Sequence, residues 1–146
     1  MRTADPPLAD HTVYLLSQLG RHGRRRLTAR LADQGLTMLD MAALAVLEQS
    51  GPLPHTELAR RLGLDPSDVT AQVEEMLERR RVTRSVDPQD RRRRLVQMSP
   101  LGKDALERAR QITQGVDDEL LAMLPEETRL QLHATLRALL VHARTL

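Results

Sequence analysis

Val13, Leu16, Leu19, Gly23, Leu27 and Leu31 recur three or four residues apart and predict a first helix, opening at Pro6-Pro7 and running to about Ala32. Gly20 and Gly23 lie on or beside this stripe. Glycine costs a helix about 1 kcal/mol relative to alanine, so the pair predicts close approach of another backbone. Gly35 is placed to cap the helix end. A second helix opens at Thr37, with Asp40 as its capping partner, and buries Met41, Leu44 and Leu47. Gly51-Pro52-Leu53-Pro54 breaks it. A short helix at about His55–Leu62 turns Leu58, Ala59 and Leu62 inward, and a turn follows at Gly63-Leu64. A longer helix from Pro66 to about Arg80 does the same with Val69, Val73, Met76 and Leu77. Asp65 is its N-cap and Pro66 its first residue. The pattern then changes to alternation. Val82–Val86 and Arg93–Met98 flank Asp87-Pro88-Gln89-Asp90, which has the residues of a type I turn, and together they predict a β-hairpin. Ser99 caps a long helix starting near Pro100, striped by Leu106, Ala109, Ile112, Val116 and Leu120. Pro125 begins a last helix carrying Leu132, Leu136, Leu139 and Leu140.

Two helices joined by a short glycine-containing turn form a helix-turn-helix, whose second helix suits a major groove. The fold class is therefore mainly α (α+β), a single domain over residues 1–146 with its helix-turn-helix and hairpin at about 37–98. The outer helices, about 7–33 and 100–146, are more apolar than so small a lobe requires. They read as a dimerisation layer. Folding back on the same subunit is the simpler alternative.

Charge sharpens the picture. Between Arg79 and Arg94 stand eight arginines (79, 80, 81, 84, 91, 92, 93 and 94) against Asp87 and Asp90, a local charge of +6 in a chain whose total is only +2. The rest of the molecule sums to −4. Lys103 is the only lysine, so the basicity is that of guanidinium groups, which suit bidentate recognition of phosphate and guanine. Tyr14 is the only aromatic residue; the core must be aliphatic, and modules that stack single-stranded bases on aromatic rings are disfavoured. With no cysteine, disulfides, thiol redox sensing and thiolate metal sites are removed. The N-terminal residues lack the apolar run of a signal peptide and no stretch approaches a membrane span, so a cytoplasmic location is the default expectation.

LARRLGLDPSDVT followed by LERRRVTRSVDPQDRRRRLVQMSPLGKDAL resembles the core of the MarR-type, or multiple antibiotic resistance regulator, family. The hallmark of that family is an acidic-Pro-x-Asp-Arg-Arg wing and a strand running into a Thr/Ser-x-x-Gly helix start. Here these are Asp87-Pro88-Gln89-Asp90-Arg91-Arg92 and Ser99-Pro100-Leu101-Gly102. The match runs residue by residue over about Leu58–Leu106. The resemblance implies a winged helix-turn-helix with a two-stranded wing, held as a homodimer by N- and C-terminal helices. It implies a regulator of transcription, usually a repressor, bound to a pseudo-palindromic double-stranded DNA operator and released by a small, often phenolic, ligand. It also implies that Arg92 enters a minor groove with Asp90 steadying it. The chain departs from the family in two places. An arginine commonly follows the helix threonine, whereas Thr70 precedes Ala71 and Gln72, leaving Gln72 as the candidate substitute through adenine contacts. The glycine that usually ends the recognition helix aligns with Arg81, where a left-handed non-glycine costs on the order of 1 kcal/mol.

The candidate DNA-contacting residues are Ser67, Asp68, Thr70, Ala71 and Gln72 on the helix, and Arg84, Asp90, Arg91, Arg92 and Arg93 on the wing. A solvated charged face is the bland alternative for the wing. For Asp68 a capping role is preferred to accepting from cytosine. A second basic run, Arg21, Arg24, Arg25, Arg26 and Arg30, is read first as surface ion pairing with Asp117, Asp118 and Glu119. Tyr14, Arg21, Met38 and Met41 are ligand-site candidates by the resemblance alone. His11, His22, His55, His133 and His142 show no metal spacing, and no phosphate loop, nucleophile elbow or other catalytic constellation is present, so neither a cofactor nor an enzyme is expected. A winged-helix module that binds a protein partner is the competing function.

Overall fold

Thr37 closes a capping box in which its hydroxyl accepts from the Asp40 N–H and the Asp40 carboxylate accepts from the Thr37 N–H, which is why a helix begins there. The same logic of caps and turns sets most element boundaries in the computed structural model, which describes residues 7–146. In chain order they are α1 (Thr12–Asp33), α2 (Met38–Ser50), β1 (Leu53–Pro54), α3 (His55–Leu62), α4 (Pro66–Glu78), β2 (Val82–Val86), β3 (Arg94–Met98), α5 (Pro100–Leu120) and α6 (Glu126–Ala143). Pro6 lies outside the described residues. Pro7 falls in a turn, and α1 begins only at Thr12, with His11 in extended backbone before it.

The expected two-stranded wing is part of a three-stranded antiparallel sheet in the order β1-β3-β2. Leu53 pairs with Val96 and Pro54 with Leu95, while Val82 faces Met98 and Val86 faces Arg94. The segment expected only to break α2 therefore adds an edge strand, the position in a sheet where proline is tolerated. The core is aliphatic, as composition requires: Leu31, Leu36, Leu44, Leu58, Val69, Val73, Met76, Val82, Val96 and Leu106 are fully buried. Each contributes roughly 1.5–3 kcal/mol by leaving water.

Only the C-terminal part of α1 joins this core, through Leu31 and the partly buried Leu27. Val13, Leu15, Leu16 and Leu19 stay exposed, and α6 buries no residue at all. Nor, among the described residues, do the α1 glycines meet another backbone. Of the described residues, a Cβ on Gly20 would touch none within 4 Å, and one on Gly23 would touch only the Leu120 side chain at 3.6 Å. No helix of the described residues is long and apolar enough to cross a membrane.

Candidate nucleic-acid interface

Between α3 and α4 the chain turns through Gly63 in the left-handed region (φ 66°), and the Leu64 N–H closes back on the Ala59 carbonyl at 2.9 Å. Asp65 then caps α4 by accepting from the Ser67 N–H at 3.4 Å. With Val69, Val73 and Met76 inside, Ser67, Asp68, Thr70 and Ala71 stand exposed on the outer and flanking faces. The Thr70 hydroxyl donates to the Pro66 carbonyl at 2.9 Å. Asp68 takes no part in the cap; that role belongs to Asp65. Gln72 is half-buried, and its amide donates to Asp40 Oδ1.

That carboxylate is a junction. Asp40 is buried at 4% exposure and, besides Thr37 and Gln72, faces Arg81 Nη1 at 3.5 Å. Arg81, itself buried, donates to the Gly35 carbonyl at 2.9 Å, and Arg79 reaches the same carbonyl at 2.8 Å. Burial pulls the Arg81 guanidinium below its ordinary value and the Asp40 charge opposes that. An arginine so placed remains a cation. The start of α2, the end of α1, the outer edge of α4 and the start of β2 are thereby tied at one polar point.

The end of α4 differs from the sequence expectation. The left-handed residue is Arg80 (φ 57°), one before Arg81. The Arg80 N–H bonds to Leu77 and the Arg81 N–H to Met76, the paired bonds of a Schellman cap.

The hairpin loop spans Asp87 to Arg93, between β2 and β3. The chain bends at Pro88-Gln89, but the hydrogen-bonded turn falls at Asp90–Arg93, where the Arg93 N–H meets the Asp90 carbonyl at 3.0 Å. Asp87 Oδ1 accepts from the Gln89 N–H at 2.9 Å, and Asp90 Oδ1 accepts from the Arg92 N–H at 3.0 Å. Both acids thus hold backbone and leave the arginine side chains alone. Among the described residues Arg91, Arg92, Arg93 and Arg94 are exposed and make no ion pair. Arg84 differs, pairing with Glu74 on α4 and so tying the wing to the helix. A concavity of about 630 Å³ lies at the wing base, lined by Pro54, His55, Thr56, Arg84, Arg93 and Arg94. Burial, and then the Arg84 charge, lower the His55 pKa.

The other candidates are dispersed. Met38 and Met41 pack against the core, accepting from the Thr28 and Thr113 hydroxyls at 3.7 and 3.4 Å. Tyr14 is half-buried and Arg21 exposed, both on α1. Of the α1 basic run, Arg26 and Arg30 pair with Glu119, while Asp118 pairs with Arg129. Sequence reasoning missed three residues: Asp40 as a junction, Arg81 as its counter-ion, and Glu74 as the anchor of Arg84. Asp40 carried a signal only as a capping acid.

A core-packed helix pair beside an arginine-tipped hairpin on a three-stranded sheet defines a winged helix-turn-helix protein. The family model described as MarR family matches residues 36–93, which takes in α2 to the wing tip. A probable transcriptional regulator from Pseudomonas aeruginosa of known structure is 32% identical, over 90% of this chain and 98% of that one, with a TM-score of 0.74. The Mycobacterium tuberculosis MarR family protein Rv2887, solved in complex with DNA, is 25% identical over 92% of this chain and 98% of that one, with a TM-score of 0.76. The uncharacterized HTH-type transcriptional regulator YcgE of Bacillus subtilis (strain 168) is 32% identical over 92 residues, or 63% of this chain. That alignment spans 60% of the length of YcgE. The chain belongs to the MarR family, whose members are transcriptional regulators rather than enzymes.

Proposed function

We propose that the protein is a homodimeric regulator that binds double-stranded DNA at a pseudo-palindromic operator and acts as a repressor. The observation that carries the reading is the set of unpaired, exposed guanidinium groups at Arg91–Arg94 beside the exposed face of α4. Carried on a hydrogen-bonded turn and, among the described residues, free of acidic partners, they are available to phosphate and to the negative potential of a narrowed minor groove. In this reading Ser67, Asp68, Thr70 and Ala71 face major-groove base edges, while Arg84, Arg91, Arg92 and Arg93 hold the backbone and the neighbouring minor groove. The Rv2887–DNA complex supports it by kinship.

The apolar faces of α1 and α6 supply the homodimer. Leu16 and Leu19 on one, with Leu139 and Leu140 on the other, are between 42% and 55% exposed in the isolated chain. Apolar side chains left exposed at helical spacing on both helices support an interface between copies of the chain. Two-fold pairing sets half-sites about one helical turn apart, ~34–36 Å. A small phenolic or anionic effector would release the DNA only through a higher affinity for a lobe spacing that does not fit the operator.

Operator affinity measured by fluorescence anisotropy against salt tests the reading. Arg92→Ala weakens binding about tenfold and flattens the salt slope by about one unit. Unchanged affinity would remove the wing from the interface. The acidic outer face of α4 favours a second reading, a module for a protein partner, and absence of any duplex binding at low salt supports it.

A further inference from the structure

The recognition helix of this chain offers almost nothing that can donate to a base. From Pro66 to Glu78 it carries four acids, Asp68, Glu74, Glu75 and Glu78, and no basic residue. Gln72 bears the only side-chain N–H groups on α4, and it is half-buried with its amide turned to Asp40. The Thr70 hydroxyl proton points to Pro66, and Ser67 donates its own, at 3.4 Å, to Asp65. What remains toward the groove is an exposed carboxylate at Asp68, hydroxyl lone pairs, and the methyl groups of Thr70 and Ala71.

Such a face discriminates among bases. Guanine presents the acceptors N7 and O6 and is read by donors, which are missing. Adenine pairs its N6 donor with an N7 acceptor that repels a carboxylate. Cytosine shows an N4 amino donor, and thymine a C5 methyl, and these match an acceptor and an apolar contact. Resting on the DNA-binding reading above, we infer that α4 reads pyrimidines: Asp68 accepts from cytosine N4, and the Ala71 and Thr70 methyls pack on thymine. Affinity then comes from the wing and sequence choice from α4. Glu74 and Glu75 are paired with Arg84 and Arg79, so the exposed Asp68 carboxylate near the helix start is the charge that repels a duplex, and a site that lets it recover a hydrogen bond is set apart from all others.

Selection from a random duplex library tests this with the intact protein and two variants, Asp68→Asn and Ala71→Arg. The wild type enriches neighbouring cytosine and thymine positions in each half-site, and replacing that cytosine pair costs it about tenfold in affinity. Asp68→Asn loses most of this discrimination while its affinity for unrelated duplex rises, because a negative charge has left the interface. Ala71→Arg moves its position toward guanine. A purely structural role for Asp68 lowers both affinities together, and that result overturns the inference. So does an enriched sequence that Asp68→Asn leaves unchanged, although DNA binding itself would stand. Failure of the wild type to retain any duplex at low salt ends both readings.

Discussion

An alanine at position 102 would meet a backbone that has nowhere to go. Gly102 lies in the first turn of α5, its N–H donating to the Ser99 hydroxyl at 3.0 Å. A Cβ built on it would lie 2.0 Å from the Arg81 carbonyl oxygen and 3.0 Å from Met98 Cγ. To restore an ordinary contact the carbonyl must retreat by about 1 Å or more. That carbonyl accepts from the Ser99 N–H at 3.0 Å, and the same residue carries the buried guanidinium that faces Asp40. Overpacking of this kind costs ~1–3 kcal/mol. A lost buried hydrogen bond adds about 1 kcal/mol, and the better helix propensity of alanine returns at most about 1 kcal/mol. Gly102→Ala is therefore expected to be less stable by ~2 kcal/mol, a fall in Tm of roughly 4–8 °C for a chain of this size. Thermal unfolding by circular dichroism, at one fixed protein concentration because dimerisation contributes, gives the answer. A Tm within 2 °C of wild type would refute the claim that this contact is rigid.

Two further perturbations address other parts of the lobe. Arg80→Gly relieves a left-handed arginine (φ 57°) and should raise stability by up to about 1 kcal/mol, part of the gain being offset by the greater freedom of glycine in the unfolded chain; a lower Tm would show that the Arg80 side chain does more than tolerate its position. His55 has its pKa lowered chiefly by burial and then by Arg84, so the unfolded chain binds the proton more readily than the folded one. Its neutral form contributes stability above the unfolded value of about 6.5, and that contribution is lost as pH falls below it toward the depressed folded value. Urea titrations at pH 7.5 and 5.5 should show a smaller loss for His55→Asn than for wild type, and equal losses would remove His55 as the cause.

Local chemistry along the chain was sufficient for much of this molecule. Gly63, Asp65 and Pro66 define the turn and the start of α4 within four residues of one another, and α3 falls at His55–Leu62 as its periodicity predicts. The hairpin and the Ser99–Gly102 helix start were legible for the same reason, since caps are decided by neighbours three or four positions apart, although the hydrogen-bonded turn fell at Asp90–Arg93 and not at Asp87–Asp90. The partners of the buried polar residues were not legible. Gln72 meets Asp40 across 32 residues and Arg81 meets Gly35 across 46, and no periodicity encodes such pairs. β1 has only two residues, too few for alternation to register, and is defined by its pairing with β3, some forty residues away. The left-handed site falls at Arg80, and the next residue, Arg81, is buried against Asp40. Sequence alone thus determined the helices, the wing and its charge, through short-range backbone bonding. Which side chains are spent inside and which are left for the groove was decided only when distant segments packed, since burying a polar group leaves it no option but the partner that packing supplies.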